Sequence, residues 1–135
     1  MSLILQKRGY ANAPISSSPI APEQMAVYRL TATQREKARL EKLQSRRSQG
    51  MAVAQQTAQM LKQWGATRVV LFGSILTEYF HETSDLDLAV QDLPEHLYFR
   101  AVAQLQDISS FTVNLVEINY AAPHIQEAIG QGREL

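Results

Sequence analysis

Two short clusters in this sequence combine residue types and spacing suited to phosphate and metal chemistry. They are Gly73-Ser74 and, after ten intervening residues, Asp85-Leu86-Asp87. The first follows an apolar run, Val69-Val70-Leu71-Phe72, that reads as a short buried strand. At its end Gly73 has no side chain to keep a ligand away from the backbone. Ser74 offers a hydroxyl and an N–H at a turn or helix start, where phosphate oxygens are readily held. Asp85 and Asp87 are two apart, so on a strand they project to one face. Crowded carboxylates repel unless something neutralises them. A hard, oxygen-preferring cation such as Mg2+ does so, and a nucleoside triphosphate brings that cation with it. Taken singly, a Gly-Ser after a strand is usually a turn, and an Asp-x-Asp is usually a solvated strand end. The combination, with Leu86, Leu88, Ala89 and Val90 making the second strand apolar, points to a metal-assisted phosphate site.

Other chemistries lack their residues. With no cysteine, the chain has no disulfide, iron–sulfur cluster or thiolate zinc site. The histidines, at 81, 96 and 124, show no metal-ligand spacing. His81 lies in the ten-residue spacer and is a lesser candidate for touching nucleotide, while His96 and His124 read as surface or capping residues. Trp64, at the end of an amphipathic helix, reads as core. No Gly-x-Ser-x-Gly elbow surrounds Ser74, and neither a P-loop nor a Gly-x-Gly-x-x-Gly pattern occurs.

The elements that must position these residues follow from periodicity and punctuation. Residues 1–30, with Pro14, Pro19, Pro22 and a serine run, show no clear period and are expected to form an extended arm. Thr33-Gln34-Arg35-Glu36 reads as a capping box that opens a helix, and strong helix formers fill residues 34–49. The apolar content there is thin (Ala38, Leu40, Leu43), and Gly50 weakens the helix or breaks it. From Met51 the stripe Val53, Thr57, Met60, Leu61 and Trp64 falls on one face, and Gly65 ends the helix. Strands are expected at 69–72, 86–90 and 111–118. A turn or short helix follows Ser74. Pro94 opens a helix that turns Leu97, Ala101 and Leu105 one way. Pro123 opens the last helix, with Ile125, Ala128 and Ile129 inward. This order predicts an α+β fold, sandwich-like, in which helices cover a small mixed sheet. The expected organisation is an arm over 1–30, a basic helical extension over 31–50 and a catalytic domain over 51–135.

Composition and charge narrow the class further. Hydrophobic residues make up 45% and charged residues 19%, as in a soluble globular chain of 135 residues. No apolar run approaches the length needed to span a bilayer, and the N-terminal residues do not resemble a secretory signal. A cytoplasmic protein without membrane partners is expected. The net charge of zero hides an asymmetry: residues 1–68 hold eleven Lys/Arg and three Asp/Glu, residues 69–135 two and ten. The basic half is either a solvated helix or an arm that touches something anionic. Residues 29–49 hold seven Lys/Arg, yet only Tyr28 lies nearby to stack on a base, so nucleic acid is not the expected main partner.

The segment carrying Gly73, Ser74, Asp85 and Asp87 resembles the minimal nucleotidyltransferases (MNT) of the DNA polymerase beta superfamily, whose signature is Gly-Ser, ten residues, Asp-x-Asp. The likeness runs through Phe80-His81 and Ser84, through the stretch Phe111-Thr112-Val113-Asn114-Leu115-Val116-Glu117, and into Ala122-Pro123-His124, covering about residues 51–135. It is similar above all to the antitoxin branch of HEPN/MNT toxin–antitoxin pairs. The resemblance implies an adenylyltransferase that moves AMP from ATP onto a tyrosine of a HEPN toxin partner. It implies that Gly73 and Ser74 hold the β- and γ-phosphates and that Asp85 and Asp87 hold Mg2+. Asn114 occupies the position of the family's third carboxylate, as Val-Asn-Leu-Val in place of Val-Asp-Leu-Val. Its amide oxygen can coordinate, but it adds no negative charge and cannot act as a base. Glu117, three residues on, points to the opposite strand face and is a poor substitute. Ile75 and Glu78 replace the Arg and Gly that many relatives carry. Two readings stay open: an active enzyme, or a degenerate domain that neutralises its toxin by contact alone.

The thinly apolar basic helix needs a partner surface for stability, either the acidic half of a second copy or the toxin. Exposed charge pairs are screened over roughly 10 Å at 0.1 M salt. Sedimentation with and without toxin is therefore expected to show association that weakens at high salt; indifference to salt removes any role for the charge asymmetry in assembly.

Overall fold

A computed structural model describes residues 21–108 and 110–135. The chain divides into two compact units, Met1–Arg39 and Leu40–Leu135. Helix α1 spans Pro22–Gln63. Strand β1 (Arg68–Phe72) follows, then a 3-10 turn (Ser74–Leu76), β2 (Leu86–Gln91) and helix α2 (Glu95–Ile108). Next come β3 (Val113–Glu117), a second 3-10 turn (Ile118–Tyr120), helix α3 (Pro123–Gly130) and β4 (Arg133–Glu134).

In the first unit the helix begins earlier than the sequence suggests. Pro22 takes the first helical position, where its missing N–H costs nothing, and Gln24 Oε1 accepts the Ala21 N–H at 3.3 Å. Residues 22–30, expected as part of an extended arm, are therefore helical; residues 1–20 of that arm lie outside the described residues. Thr33 does not cap: its hydroxyl donates to the Arg29 carbonyl one turn back at 2.8 Å. Glu36 instead receives the Arg39 guanidinium through two bonds of 3.0 and 2.8 Å, which lower its pKa.

In the second unit the remainder of α1 packs on the sheet. Gly50, Ala54, Thr57, Ala58 and Leu61 are buried, while Val53, Met60 and Trp64 flank the stripe and are partly buried. Gly50 is not a break. A Cβ there would lie 2.7 Å from Ile75 Cδ1 and 3.1 Å from Phe111 Cζ, so its bare Cα lets the helix close on those side chains. Helical residues before Met51 also join this unit: Leu43 packs on the core, and Arg46 lies 3.6 Å from the Phe111 ring centroid. The helix ends as expected at Gly65, whose φ of 117° accompanies the Ala66 N–H to Leu61 carbonyl bond that closes the C-terminus.

The sheet has four strands in the order β3-β2-β1-β4. β1 runs antiparallel to both β2 and β4, while β2 and β3 are parallel. A parallel pair needs a crossover, and α2 supplies it. Alternation along the strands separates two cores. Val69, Leu71, Leu86, Leu88, Val90, Val113 and Leu115 face α1 and α2. Val70, Phe72 and Ala89 face Ile129 of α3, flanked by Val116, Ile125 and Ala128. Leu97, Ala101 and Leu105 of α2 turn to the larger core, as their spacing predicts. The result is the mixed α+β architecture expected from the order of elements.

β4 was not legible in the sequence. It pairs with β1 over two residues, Glu134 opposite Val70 and Arg133 opposite Leu71. The Arg68 guanidinium holds the Glu134 carboxylate, lowering its pKa below the usual range. Gly132 makes this approach feasible, since a Cβ there would sit 2.5 Å from the Leu71 carbonyl oxygen. Gly132→Ala is expected to destabilise the fold by ~1–3 kcal/mol, the usual effect of overpacking. Gly130→Ala, whose Cβ would meet nothing within 4 Å, is expected to be neutral or to stabilise by up to ~1 kcal/mol. Urea unfolding of both variants checks the contrast.

Candidate active site

The site is assembled at one end of the sheet, where β1 ends and β2 and β3 begin. Phe72, the last residue of β1, is paired with Asp87, and Asp87 is in turn paired with Asn114 across the parallel β2–β3 ladder. Asp85, Asp87 and Asn114 share the face of the smaller core, beyond the layer made by Ala89 and Val116. A turn delivers Asp85 to this position. The His81 N–H donates to Ser84 Oγ at 2.9 Å, the Ser84 N–H returns to the His81 carbonyl at 3.0 Å, and Ser84 is buried. The Leu86 N–H then reaches the Thr112 carbonyl at 2.9 Å and starts the ladder.

Gly73 adopts φ 88° and ψ −161°, a conformation open to glycine and strained for other residues. A Cβ there would press on Asp87, 3.1 Å from its Cγ and 3.2 Å from its Cβ, with Oδ2 nearer still. The Gly-Ser turn and the second aspartate are therefore in direct apposition. Ser74 opens the 3-10 turn, and its carbonyl accepts both the Thr77 N–H at 2.8 Å and the Thr77 hydroxyl at 2.9 Å. Arg47 of α1 holds the far side of this turn, donating to the carbonyls of Ile75 and of Thr77, the latter at 3.2 Å. Its guanidinium also lies over the Phe80 ring, 4.8 Å from the centroid. Sequence reasoning saw only a basic run here. The spacing that singles out Arg47 exists between α1 and the turn, not along the chain.

Asn114 occupies the centre of the arrangement. Its Nδ2 donates to Asp85 Oδ2 at 3.2 Å and to Asp87 Oδ1 at 3.0 Å. Among the described residues, neither carboxylate is paired with a lysine or arginine. Among them, too, no group of three or more Asp, Glu, His or Cys could hold a metal ion. The available donor set is thus two carboxylates and one amide, all hard oxygen ligands once the amide turns its Oδ1 inward. That set fits Mg2+ better than a thiophilic ion. His81, the lesser candidate, is engaged in the spacer turn, where its Nδ1 accepts the Thr83 N–H at 3.3 Å. His96 and His124 lie at the starts of α2 and α3.

The other end of the same strands bounds a groove of about 700 Å³, lined among others by Asp92, Tyr98, Phe99, Glu117 and Tyr120. Glu117 lies here and not beside Asn114, in keeping with its strand parity. The Tyr98 hydroxyl donates to the Leu115 carbonyl. Burial, and then the Glu117 charge, raise its pKa above the usual phenol range.

Comparisons with known proteins bear on this geometry. The family model described as polymerase beta, nucleotidyltransferase matches residues 55–135. No curated protein matches the chain. Among solved structures, a toxin–antitoxin complex of MntA and HpeT, in mutant form, aligns with a TM-score of 0.50 and 18% identity over 60% of this chain and 70% of that one. A structure of a tri-AMPylated Shewanella oneidensis HEPN toxin in complex with MNT antitoxin aligns with a TM-score of 0.49 and 20% identity, covering 63% of this chain and 70% of that one. A protein provisionally assigned as a minimal nucleotidyltransferase aligns with a TM-score of 0.49 and 27% identity, over 70% and 92% of the two chains. Among the described residues no helix is long and apolar enough to cross a membrane.

Gly73→Ala tests the apposition of the turn and the aspartate. The side chain is strained at this φ and displaces the Asp87 carboxylate. The expected loss of stability is ~1–3 kcal/mol, read by thermal melting. In a 15N-labelled sample the Asn114 side-chain amide resonances are expected to shift as Asp87 moves; unchanged resonances would show that the turn has room.

Proposed function

Because the chain belongs to the polymerase beta nucleotidyltransferase family over residues 55–135, we propose that it is a Mg2+-dependent nucleotidyltransferase of the minimal type. In this reading it is the antitoxin of a HEPN/MNT pair and transfers AMP from ATP to a tyrosine of the HEPN toxin. The observation that carries the catalytic part is the contact geometry of Gly73 against Asp87, with Asp85 on the same face. It brings the Gly73–Ser74 turn and two carboxylates to one place. The toxin partner follows from the motif resemblance in the sequence; the likeness to the MntA–HpeT complex extends to the fold alone.

The residues divide the work as follows. Asp85 and Asp87 would hold the metal, with Asn114 Oδ1 available as a third, neutral ligand. A bound Mg2+ supplies charge neutralisation on the triphosphate and the leaving pyrophosphate. Gly73 keeps side-chain bulk away from the phosphates, and Ser74 offers them its hydroxyl and N–H. Arg47 fixes the turn from behind through two carbonyls, so the Ser74 group does not have to be ordered when substrate arrives. The tyrosine oxygen forms a bond to the α-phosphorus as the bond to pyrophosphate breaks. Asn114 cannot accept the tyrosine proton, which goes to a carboxylate or to solvent.

One observation favours a second reading. The Asn114 amide already satisfies both carboxylates, as it would in a domain that neutralises its toxin by contact and never loads a metal. A single assay separates the two. Purified protein is mixed with α-labelled ATP, Mg2+ and HEPN toxin, and label on the toxin is measured together with toxin activity. Label on the toxin is the expected result. Asp85→Ala or Asp87→Ala is expected to lower it by more than the ~10–100-fold typical of groups outside the ligand shell. Neutralisation without label, unaffected by either substitution, would establish the contact-only reading.

A further inference from the structure

We propose that Asn114 competes with the metal: its amide NH2 ties the two carboxylates together by hydrogen bonds until a cation displaces it. The inference rests on the nucleotidyltransferase reading and concerns how this chain's own residues respond to Mg2+.

The argument starts from the donor count. A side-chain amide has a donor end and an acceptor end, and a half-turn about its last torsion exchanges them. In this structure the donor end faces Asp85 Oδ2 and Asp87 Oδ1, and no lysine or arginine among the described residues is paired with either carboxylate. The reverse orientation would aim three oxygens at one another. With a cation between the carboxylates the preference inverts, because the NH2 would then face positive charge and the amide oxygen would face away. Metal entry therefore has to break two hydrogen bonds to charged acceptors and turn the amide. An aspartate at this position has no donor end. It adds a third negative charge and leaves the site dependent on a cation for its neutralisation.

Asp87 is held in place, which makes this competition matter. Asp87 is confined by Gly73 on one side and by its register with Asn114 on the other. Ser84 is buried in the turn that delivers Asp85. Asp87 cannot simply move aside when the amide is removed. The consequence is opposite in sign to that of an ordinary ligand. Removing the Asn114 side chain strengthens metal binding, because the carboxylates lose their competing donor.

The test is calorimetry with MgCl2 and MnCl2 alone on the full-length protein, Asn114→Ala and Asn114→Asp. It is accompanied by thermal melting with and without metal. Asn114→Ala is expected to bind metal on the order of tenfold more tightly than the parent protein, equivalent to losing about one competing hydrogen bond to a charged group. Its metal-free form is expected to melt lower, and metal to raise its melting temperature more than the parent's. Asn114→Asp is expected to bind most tightly. In the parent protein, the 15N side-chain amide resonances of Asn114 are expected to shift on adding Mg2+ as the two bonds break, a readout that needs no variant. If Asn114→Ala binds metal more weakly than the parent while Asn114→Asp still binds, Asn114 is an ordinary ligand and the inference fails, with the nucleotidyltransferase reading intact. Absence of metal binding in all three proteins overturns both.

Discussion

Two carboxylates on one strand face repel each other, and the structure around Asp85 and Asp87 is organised by how that repulsion is met. The Asn114 amide meets it with two hydrogen bonds from one nitrogen. For those bonds to form, β3 must lie parallel to β2 in a register that sets Asn114 opposite Asp87. A slip of one residue would turn Asn114 to the other face and Val113 toward the carboxylates. The register is held by burial: Leu86, Leu88, Val113 and Leu115 all face the larger core, so a slip would also expose that layer. The apolar pattern of two strands thus fixes the polar contact on their opposite face.

The Gly73–Thr77 turn depends on a different kind of support. Its Ile75 and Thr77 carbonyls need donors, and Arg47 provides them from α1. This explains how residues 43–50, with few apolar side chains, pack on the domain. Arg46 and Arg47 cover Phe111 and Phe80 with their guanidinium planes, and Gly50 lets the helix backbone close on Ile75. Helix and turn therefore hold each other, through cation–π contact and charge-assisted hydrogen bonds more than through aliphatic burial.

With asparagine between Asp85 and Asp87, the site holds two negative charges and one neutral amide. The Gly73–Ser74 turn lies against Asp87, with Asp85 held beside it through the same amide. An enzyme and a protein that acts by contact can share that geometry. They differ in whether a cation out-competes the amide, which makes the energy of two hydrogen bonds the quantity on which the two functional readings divide.

The order of helices and strands as far as α3, and the candidate residues for the site, were legible in the sequence. Gly73-Ser74 after an apolar run, the Asp85–Asp87 spacing and the apolar second strand are local patterns, and local patterns survive without knowledge of the fold. Pro94, Pro123 and Gly65 marked helix boundaries for the same reason, through backbone geometry particular to those residues. The start of α1 was misread because Thr33 and Glu36 have two ways to satisfy themselves, and mid-helix bonding to Arg29 and Arg39 prevailed over capping. Only tertiary structure decided the rest. β4 is two residues long and has no period of its own; it is a strand because Gly132 lets it reach β1. Gly50 resembles a helix breaker in sequence and is a packing contact in space. Arg47 is one basic residue among many until the fold brings it to the carbonyls of Ile75 and Thr77. That Asn114 should donate to both acids rests on strand register, which joins residues far apart in the chain and leaves no trace in the spacing of either segment.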